Sequence, residues 1–368
     1  MKNKIVILMA LLVLAIFTVG SVSAADDIAT DSDAQTDDTV VDDIVIDDDA
    51  TVEEDVEIED SVDESSKVVN TRSNAWISAG SNSSVINTAI ENVYNSGGGI
   101  VYFEYGTYSD ISITLKENVT LYGSGAKLTG DGNHTVILIE DYCKNFTITG
   151  FEIDVNSHTK HTSGINASFV TDGTISYNRI YNGINAININ KFYDNMTIEE
   201  NTIYNMTNDA ISLANPIINS NITTLGRTYL KHNVISDCDY GIFIGGNFKG
   251  EIYNNDIRRC TSGIEFVGKP NGQMGNINAT LLYNYIYDVY YGINITNITV
   301  HYLNIDTNWI FGHTEDNLVI NYLNIDFEDD DSILSVLSNS LYGKIYRSFV
   351  DMCDPYNNIV DATIDEEN

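Results

Sequence analysis

An internal repeat runs through residues 178–320 and constrains the fold more than any other feature. Each of six copies opens with Asn, any residue and Ile, and closes on an apolar–x–apolar triplet. The copies open at Asn178, Asn201, Asn233, Asn255, Asn284 and Asn308, which are 23, 32, 22, 29 and 24 residues apart. A fixed period of roughly 20 to 50 residues is typical of a solenoid. The function of such a chain then depends on its outer faces and loops.

Within each copy, apolar and polar residues alternate. Ile252-Tyr253-Asn254-Asn255-Asp256-Ile257 is one example. Alternation of Ile, Val, Tyr and Thr indicates β-strands, and a unit of this length fits one coil of a parallel β-helix. Equivalent residues of stacked coils lie about 4.8 Å apart. The sequence therefore predicts an all-β fold with the Ile of each copy in one interior column. The six opening Asn should form a structural ladder whose amides bond to one another.

Two of the copies carry insertions, and weaker copies flank the array. The insertions, at about Asn215–Gly226 and Gly268–Ile277, follow the apolar triplet. They are expected at one corner of the coil, where they would wall a groove over the copy of Asn233. Beyond the last copy, Glu328 and Ser348 are assigned to the Asn position of two capping coils, where decay of the motif is expected.

The N-terminal 70 residues differ in composition from the repeats. Residues 1–25 fit a secretory signal with a basic start, an apolar run and a small-residue cleavage site; the alternative is an uncleaved anchor. Asp26–Ser66 contains nineteen Asp or Glu and no Lys or Arg. Such a stretch buries too little apolar area to fold, so residues 26–70 are interpreted as a disordered tether. Residues 71–368 are predicted to form the β-helix domain.

The formal charge of −35 argues against nucleic acid or anionic lipid as a partner. After the signal, no segment is apolar enough to span a bilayer, and a monomer is expected. No cofactor or metal site is predicted. His158 and His161 lie in a polar loop without a third ligand. Eleven N-x-[ST] sequons are present, at Asn82, Asn118, Asn133, Asn145, Asn166, Asn195, Asn205, Asn221, Asn278, Asn294 and Asn297, and some are expected to be glycosylated after secretion.

Cysteines occupy one repeat position in two successive coils. Cys238 and Cys260 each come five residues after an opening Asn, so their Cα atoms should lie within disulfide range. A bridge and two free thiols acting as small inward hydrophobes are both compatible with this stacking. Cys143 has no evident partner, and Cys353 lies in a later coil.

Residues 87–128 resemble the entry cap of the pectate-lyase-like superfamily. The resemblance rests on a short amphipathic helix (apolar at Val85, Ile86, Ala89, Ile90 and Val93), a Gly-Gly-Gly turn, Ile100-Val101-Tyr102-Phe103 and Val119-Thr120-Leu121-Tyr122-Gly123. It implies a right-handed parallel β-helix with a short N-terminal capping helix. The signal, acidic tether and Asn/Thr-rich coils also resemble adhesin-like surface proteins of methanogenic archaea. That second resemblance implies a secreted or cell-surface location.

Three acids are candidates for catalysis. Asn208-Asp209-Ala210-Ile211 partly resembles a polygalacturonase motif, and Asp237 and Asp239 offer carboxylates one coil later. Two carboxyl groups a few ångströms apart can perform acid–base chemistry on a glycosidic bond. The Gly-His-Gly and Arg-Ile-Lys motifs of polygalacturonases are absent from the sequence, and Asp is also an ordinary turn residue. These acids are therefore expected to be structural.

An aromatic-rich column lies three residues after each opening Asn. Its members are Tyr181, Tyr204, Ser236, Arg258, Tyr287 and Phe311. Stacked aromatic rings on a solvent-facing sheet can contact sugar rings, although cross-strand packing alone also explains such a column. The sequence favours an adhesin-like protein that binds carbohydrate or a cell-surface component without catalysis. The alternatives are a lyase or glycoside hydrolase acting on acidic polysaccharides, and a structural envelope protein.

Overall fold

The computed structural model describes residues 72–157, 162–215, 225–269, 272–311, 316–325, 333–337, 340–341 and 344–348. The predicted signal and tether, the two loop histidines and Cys353 lie outside these residues. Among the described residues, no helix is both long and apolar enough to cross a membrane.

The described chain contains one helix and many short strands. The N-terminal elements are β1 (Ala75–Ile77), α1 (Ser83–Asn95), β2 (Gly99–Phe103), β3 (Thr107–Ile111), β4 (Ile113–Leu115), β5 (Val119–Tyr122), β6 (Lys127–Gly130), β7 (Ile137–Ile139), β8 (Lys144–Thr149), β9 (Glu152–Asp154), β10 (Ser163–Ser176), β11 (Arg179–Gly183), β12 (Asn185–Asp194), β13 (Thr197–Glu199) and β14 (Thr202–Met206). The C-terminal elements are β15 (Asp209–Asn215), β16 (Thr228–Lys231), β17 (Val234–Ser236), β18 (Tyr240–Gly246), β19 (Phe248–Tyr253), β20 (Asp256–Arg258), β21 (Ser262–Val267), β22 (Gly275–Leu282), β23 (Tyr285–Tyr287), β24 (Tyr291–Asp306), β25 (Trp309–Phe311), β26 (Asp316–Ile325), β27 (Ile333–Leu337), β28 (Ser340–Leu341) and β29 (Lys344–Ser348).

These strands stack in parallel as the three faces of a β-helix, which confirms the predicted fold. Face 1 is a ten-stranded sheet that contains the N-x-I segments of the repeat, from β3 to β28. Faces 2 and 3 belong to one 19-stranded sheet, because long strands such as β10 and β24 run through the bend between them. Face 2 contains β15, β18 and β21, and face 3 contains β16, β19 and β22.

The interior is a set of aliphatic columns. The repeat Ile residues are fully buried and pair in register from coil to coil, at Ile180, Ile203, Ile235, Ile257 and Ile286. The position three residues further on is also buried, as at Met206, Cys238 and Val289. Alternation of side chains along each strand places the repeat Ile residues inside. The predicted interior column is thus confirmed.

The six opening Asn residues form a buried hydrogen-bonded ladder. In each step one amide nitrogen donates to the Oδ1 of the next coil, as from Asn233 to Asn255 at 3.0 Å. The same nitrogen also donates to a backbone carbonyl of the preceding coil, that of Ile198 at 2.9 Å for Asn233. The Oδ1 of Asn233 accepts the backbone N–H and the amide of Asn201, each at 3.1 Å. The ladder satisfies polar groups that the inward turn removes from water.

Face 1 is flanked by bends in the left-handed backbone region. The residue before each opening Asn has a positive φ, for example 55° at Tyr177 and 57° at His232. So does the residue four positions after each of the first five opening Asn residues, for example 58° at Asn205 and 57° at Asp237. This region is unfavourable for bulky side chains. The stacked coils therefore impose a conformation that Tyr would not adopt by local preference.

The helix closes the N-terminal end of the interior. Asn82 caps it by accepting the N–H of Val85 at 3.1 Å, and Ile86, Ile90 and Val93 are buried. Val85, which the apolar pattern assigned to the buried side, is 52% exposed because it lies off the face formed by the other three. In the following turn, a Cβ on Gly98 would lie 2.3 Å from the carbonyl oxygen of Asn118.

The insertions and the C-terminal coil can be compared with their predicted positions. Both insertions lie at the bend from face 2 to face 3, one between β15 and β16 and the other between β21 and β22. Residues 216–224 and 270–271 within them lie outside the described chain. In the next coil Ser340 pairs with Trp309. Glu328 lies outside the described residues. Ser348 pairs with Asn321 in the 19-stranded sheet, so its assignment to the Asn position was wrong.

Candidate functional site

The aromatic-rich column lies on face 1 in strict register. Asp154, Tyr181, Tyr204 and Ser236 are cross-strand neighbours in consecutive coils, followed by Arg258, Tyr287 and Phe311. Ser236 and Arg258 divide the aromatic members into two pairs. Tyr181 and Tyr204 stack with ring centroids 5.0 Å apart and planes at 4°, and Tyr287 and Phe311 stack at 5.5 Å and 8°. Because these rings stack along the coil axis, each covers one face of its neighbour.

The N-terminal pair does not provide the open ring predicted from the sequence. Tyr181 is only 7% exposed. Its hydroxyl donates to Glu152 Oε1 at 2.6 Å and accepts from Lys127 Nζ at 2.9 Å. The guanidinium of Arg179 lies over the rings of both Tyr181 and Tyr204, at 5.5 and 5.3 Å. Tyr181 is thus part of a packed polar cluster, and its assignment to an exposed contact surface was wrong.

The C-terminal pair belongs to a larger exposed cluster. Tyr285 and Trp309 are cross-strand neighbours in the adjacent outward column, and they are 42% and 41% exposed. Tyr285 lies edge-to-face against Tyr287 and Phe311, with both centroid distances at 5.1 Å. We call Tyr285, Tyr287, Trp309 and Phe311 the aromatic patch. Sequence reasoning considered the third position after each Asn and missed the first, which is aromatic only in these two coils.

Arg258 borders the aromatic patch. Its Nη1 donates to the Tyr287 hydroxyl at 2.6 Å, and its guanidinium lies 5.9 Å from the Tyr287 ring. Asp256 Oδ2 is 3.9 Å from the same Nη1. The patch therefore combines half-exposed aromatic rings with a positively charged donor, although the chain as a whole is strongly acidic.

Carboxylates of three successive coils lie within electrostatic range of one another on face 2. Asp209 begins β15, Asp239 directly precedes β18, and Glu265 lies in β21. Tyr240 pairs with Asp209 across the strands. We call Asp209, Asp239 and Glu265 the acidic cluster. Glu265, which faces outward one coil beyond Asp239, was not identified from the sequence because it stands inside an apolar triplet.

Burial sets the electrostatics of the acidic cluster. Asp209 is 7% exposed, and desolvation raises its pKa to about 6, with a further rise from the charge of Asp239 and a partial offset from hydrogen bonding to Ser212. Burial also raises the pKa of Glu265, and the charges of Asp209 and Asp239 act in the same direction. The pKa of Tyr240 is raised by burial and by all three carboxylates. A buried carboxyl with a raised pKa is typical of functional sites.

Asp237 does not belong to the acidic cluster. It occupies the left-handed bend beside face 1, and Arg259 donates to both its oxygens at 2.7 Å. This hydrogen bonding lowers the pKa of Asp237. The electrostatic partner of Asp209 is therefore Asp239. The expectation of a structural turn residue describes Asp237 well, whereas Asp209 is a buried strand residue.

The surroundings of the acidic cluster bear on its chemistry. Burial, hydrogen bonds and neighbouring carboxylates set the pKa values of Asp209 and Glu265, and no positively charged side chain is among the causes. Within the described ranges, no group of three or more His, Cys, Asp or Glu is arranged to hold a metal ion. The arrangement can supply a protonated carboxyl beside a second carboxylate, as acid–base chemistry requires.

The inward cysteines are stacked as predicted, but the bridge is not formed. Cys238, Cys260 and Cys143 are buried free thiols. Hydrogen bonding with Cys260, together with burial, raises the pKa of the Cys238 thiol well above its ordinary value. Neutral thiols in this position act as small core residues.

Comparison with known proteins finds solved structures of similar fold at low sequence identity. No protein-family model and no curated protein matches the sequence. Among solved structures, the chain is similar to the A-module of the mannuronan C-5 epimerase AlgE6 of Azotobacter vinelandii (16% identity, TM-score 0.49, 73% of this chain and 94% of that one). It is also similar to a hyperthermoactive exopolygalacturonase of Thermotoga maritima (12% identity, TM-score 0.41, 73% of this chain and 92% of that one). A third similar structure is PfbA, a surface adhesin of Streptococcus pneumoniae (15% identity, TM-score 0.38, 75% of this chain and 94% of that one). Likenesses at this level do not identify an activity.

Proposed function

We propose that this chain is a secreted or cell-surface β-helix protein that binds carbohydrate through the aromatic patch and does not cleave it. The observation that carries the proposal is the pair of half-exposed rings, Tyr285 and Trp309, on one solvent-facing sheet. Aromatic rings bury large areas at low conformational cost and suit the apolar faces of sugar rings. Arg258 supplies a donor at the edge of the patch for sugar hydroxyl or carboxylate groups.

Substitution at the patch tests this proposal. Trp309→Ala should weaken binding in a glycan-array screen by about tenfold or more, which corresponds to about 1.4 kcal/mol for one aromatic anchor. The matched control is Trp76→Ala, which removes a 69% exposed Trp on face 3, outside the patch. Equal binding by Trp309→Ala and the native chain would remove the patch from the proposal. Absence of binding to any glycan would instead favour a structural envelope protein.

The acidic cluster favours a second candidate function, hydrolysis of a polysaccharide. Two-carboxylate hydrolysis needs one protonated acid and one carboxylate. The raised pKa of Asp209, beside Asp239, meets the first requirement at mildly acidic pH. A reducing-sugar assay on neutral polysaccharides and polyuronides tests it. Turnover that Asp209→Asn abolishes would establish the enzyme and overturn the binding proposal, and a lyase would be recognised by unsaturated products.

A further inference from the structure

One bend between faces 2 and 3 combines a sequon with an exposed aromatic ring. Asn145 opens the sequon Asn145-Phe146-Thr147, is exposed and has a φ of 54°. Tyr142 lies three residues earlier, in the bend that precedes β8, also has a positive φ of 67°, and is 74% exposed. A bulky residue in the left-handed region is unfavourable without compensation. This bend therefore holds a Tyr ring in solvent at a conformational cost.

Contacts along the bend leave part of the Tyr142 ring open. Its ring stacks on Phe169 of the next coil, with centroids 5.0 Å apart and planes at 14°. Lys191 Nζ lies 5.2 Å from the Phe169 ring and extends the stack in the same direction. Even with this stacking, three quarters of the Tyr142 side chain stays in water. The open surface can accept an apolar sugar face.

The Asn145 side chain can be modified without loss of its contact. Its Nδ2 donates to Asn118 Oδ1 at 2.8 Å. Glycosylation replaces one of the two amide hydrogens and leaves the other for this bond. Asn118 also opens a sequon but is only half-exposed, and its side chain is in direct contact with that of Asn145, so two sugars would collide there. The exposed member of the pair is the better acceptor.

We propose that Asn145 carries an N-linked glycan whose first sugar packs against Tyr142. In the transfer, a bond forms between Asn145 Nδ2 and the anomeric carbon of a lipid-phosphate-linked sugar donor. The bond from that carbon to the donor's phosphate oxygen breaks, the lipid phosphate leaves, and the amide loses one proton. Thr147 supplies the sequon hydroxyl. The proposal rests on the predicted secretion of the chain and is independent of the aromatic patch.

Peptide mass spectrometry of the full chain, secreted by its natural cells, tests the site. The peptide with Asn145 should gain the mass of a glycan in most molecules, and this gain should be lost in Thr147→Ala. The matched control is Thr149→Ala, which changes another half-buried Thr of the same strand outside the sequon. Unmodified Asn145 in the native chain, whether or not other sequons carry sugars, would overturn the proposal.

A second measurement tests the role of Tyr142. Enzymatic release of the glycans should lower the Tm of the native chain more than that of Tyr142→Ala, because only the native ring packs against the Asn145 sugar. Equal shifts in both proteins would show that the sugar does not contact Tyr142 and would overturn that part of the proposal.

Discussion

Replacement of Asp209 by Asn should stabilise the fold at neutral pH. Burial raises the pKa of Asp209 from 3.8 to about 6, so the folded state holds a proton between these values that the unfolded state has lost. Stability therefore falls as the pH rises from about 4 to 6 and remains lower above that range. Two pKa units correspond to about 3 kcal/mol. Asn is neutral throughout, so Asp209→Asn should be more stable by up to about 3 kcal/mol at pH 7 and equal to the native chain at pH 3.5.

Urea unfolding from pH 3.5 to 7.5 measures this difference, since the free energy of unfolding is linear in urea concentration. Asp237→Asn is the control of opposite sign. Bonding to Arg259 lowers the pKa of Asp237, so its stabilisation is present at neutral pH, is lost as the pH falls through the folded pKa, and should disappear in the variant. Stability curves of the native chain and Asp209→Asn that run parallel from pH 4 to 7 would refute the assignment of a buried, proton-binding Asp209.

Three further outcomes follow from the interior. Asn233→Ala should lower the free energy of unfolding by several kcal/mol, because it leaves buried partners on both neighbouring coils unsatisfied. The control is Asn205→Ala at an exposed position, and the two variants should differ clearly in urea midpoint. Ile235→Asp should unfold several coils, as seen by circular dichroism, because an unpaired buried carboxylate costs several kcal/mol. A native-like spectrum and urea midpoint would contradict the interior column. Cys238 and Cys260 should resist alkylation in the native chain and react after denaturation, whereas a mass that shows a bridge between them would contradict the free thiols.

The repeat revealed the fold because its residues are constrained by position. Asn233 and Ile235 recur at fixed spacing since each must face inward and match an equivalent residue one coil away. The bends were not predictable in the same way. Tyr177 occupies a left-handed conformation that Tyr does not favour, so stacking of the coils decides its conformation and no local signal marks it.

The site was harder to predict because it depends on exposure and on contacts between coils. The residue type of Tyr181 suggested an open ring, but Lys127 and Glu152, distant in sequence, cover it. Asp237 and Asp239 are two positions apart, yet one is tied to Arg259 and the other acts on Asp209. Side chains two apart on a coil can serve different faces, and only the coil geometry separates them.

Binding and product analysis in one sample tests the central claim most directly. A glycan retained by the native chain should be recovered with its length and linkage unchanged, and retention should be lost in Trp309→Ala but kept in Asp209→Asn. Shortened or unsaturated products from the native chain that disappear in Asp209→Asn, or undiminished retention by Trp309→Ala, would contradict a protein that binds carbohydrate through its aromatic patch without cleaving it.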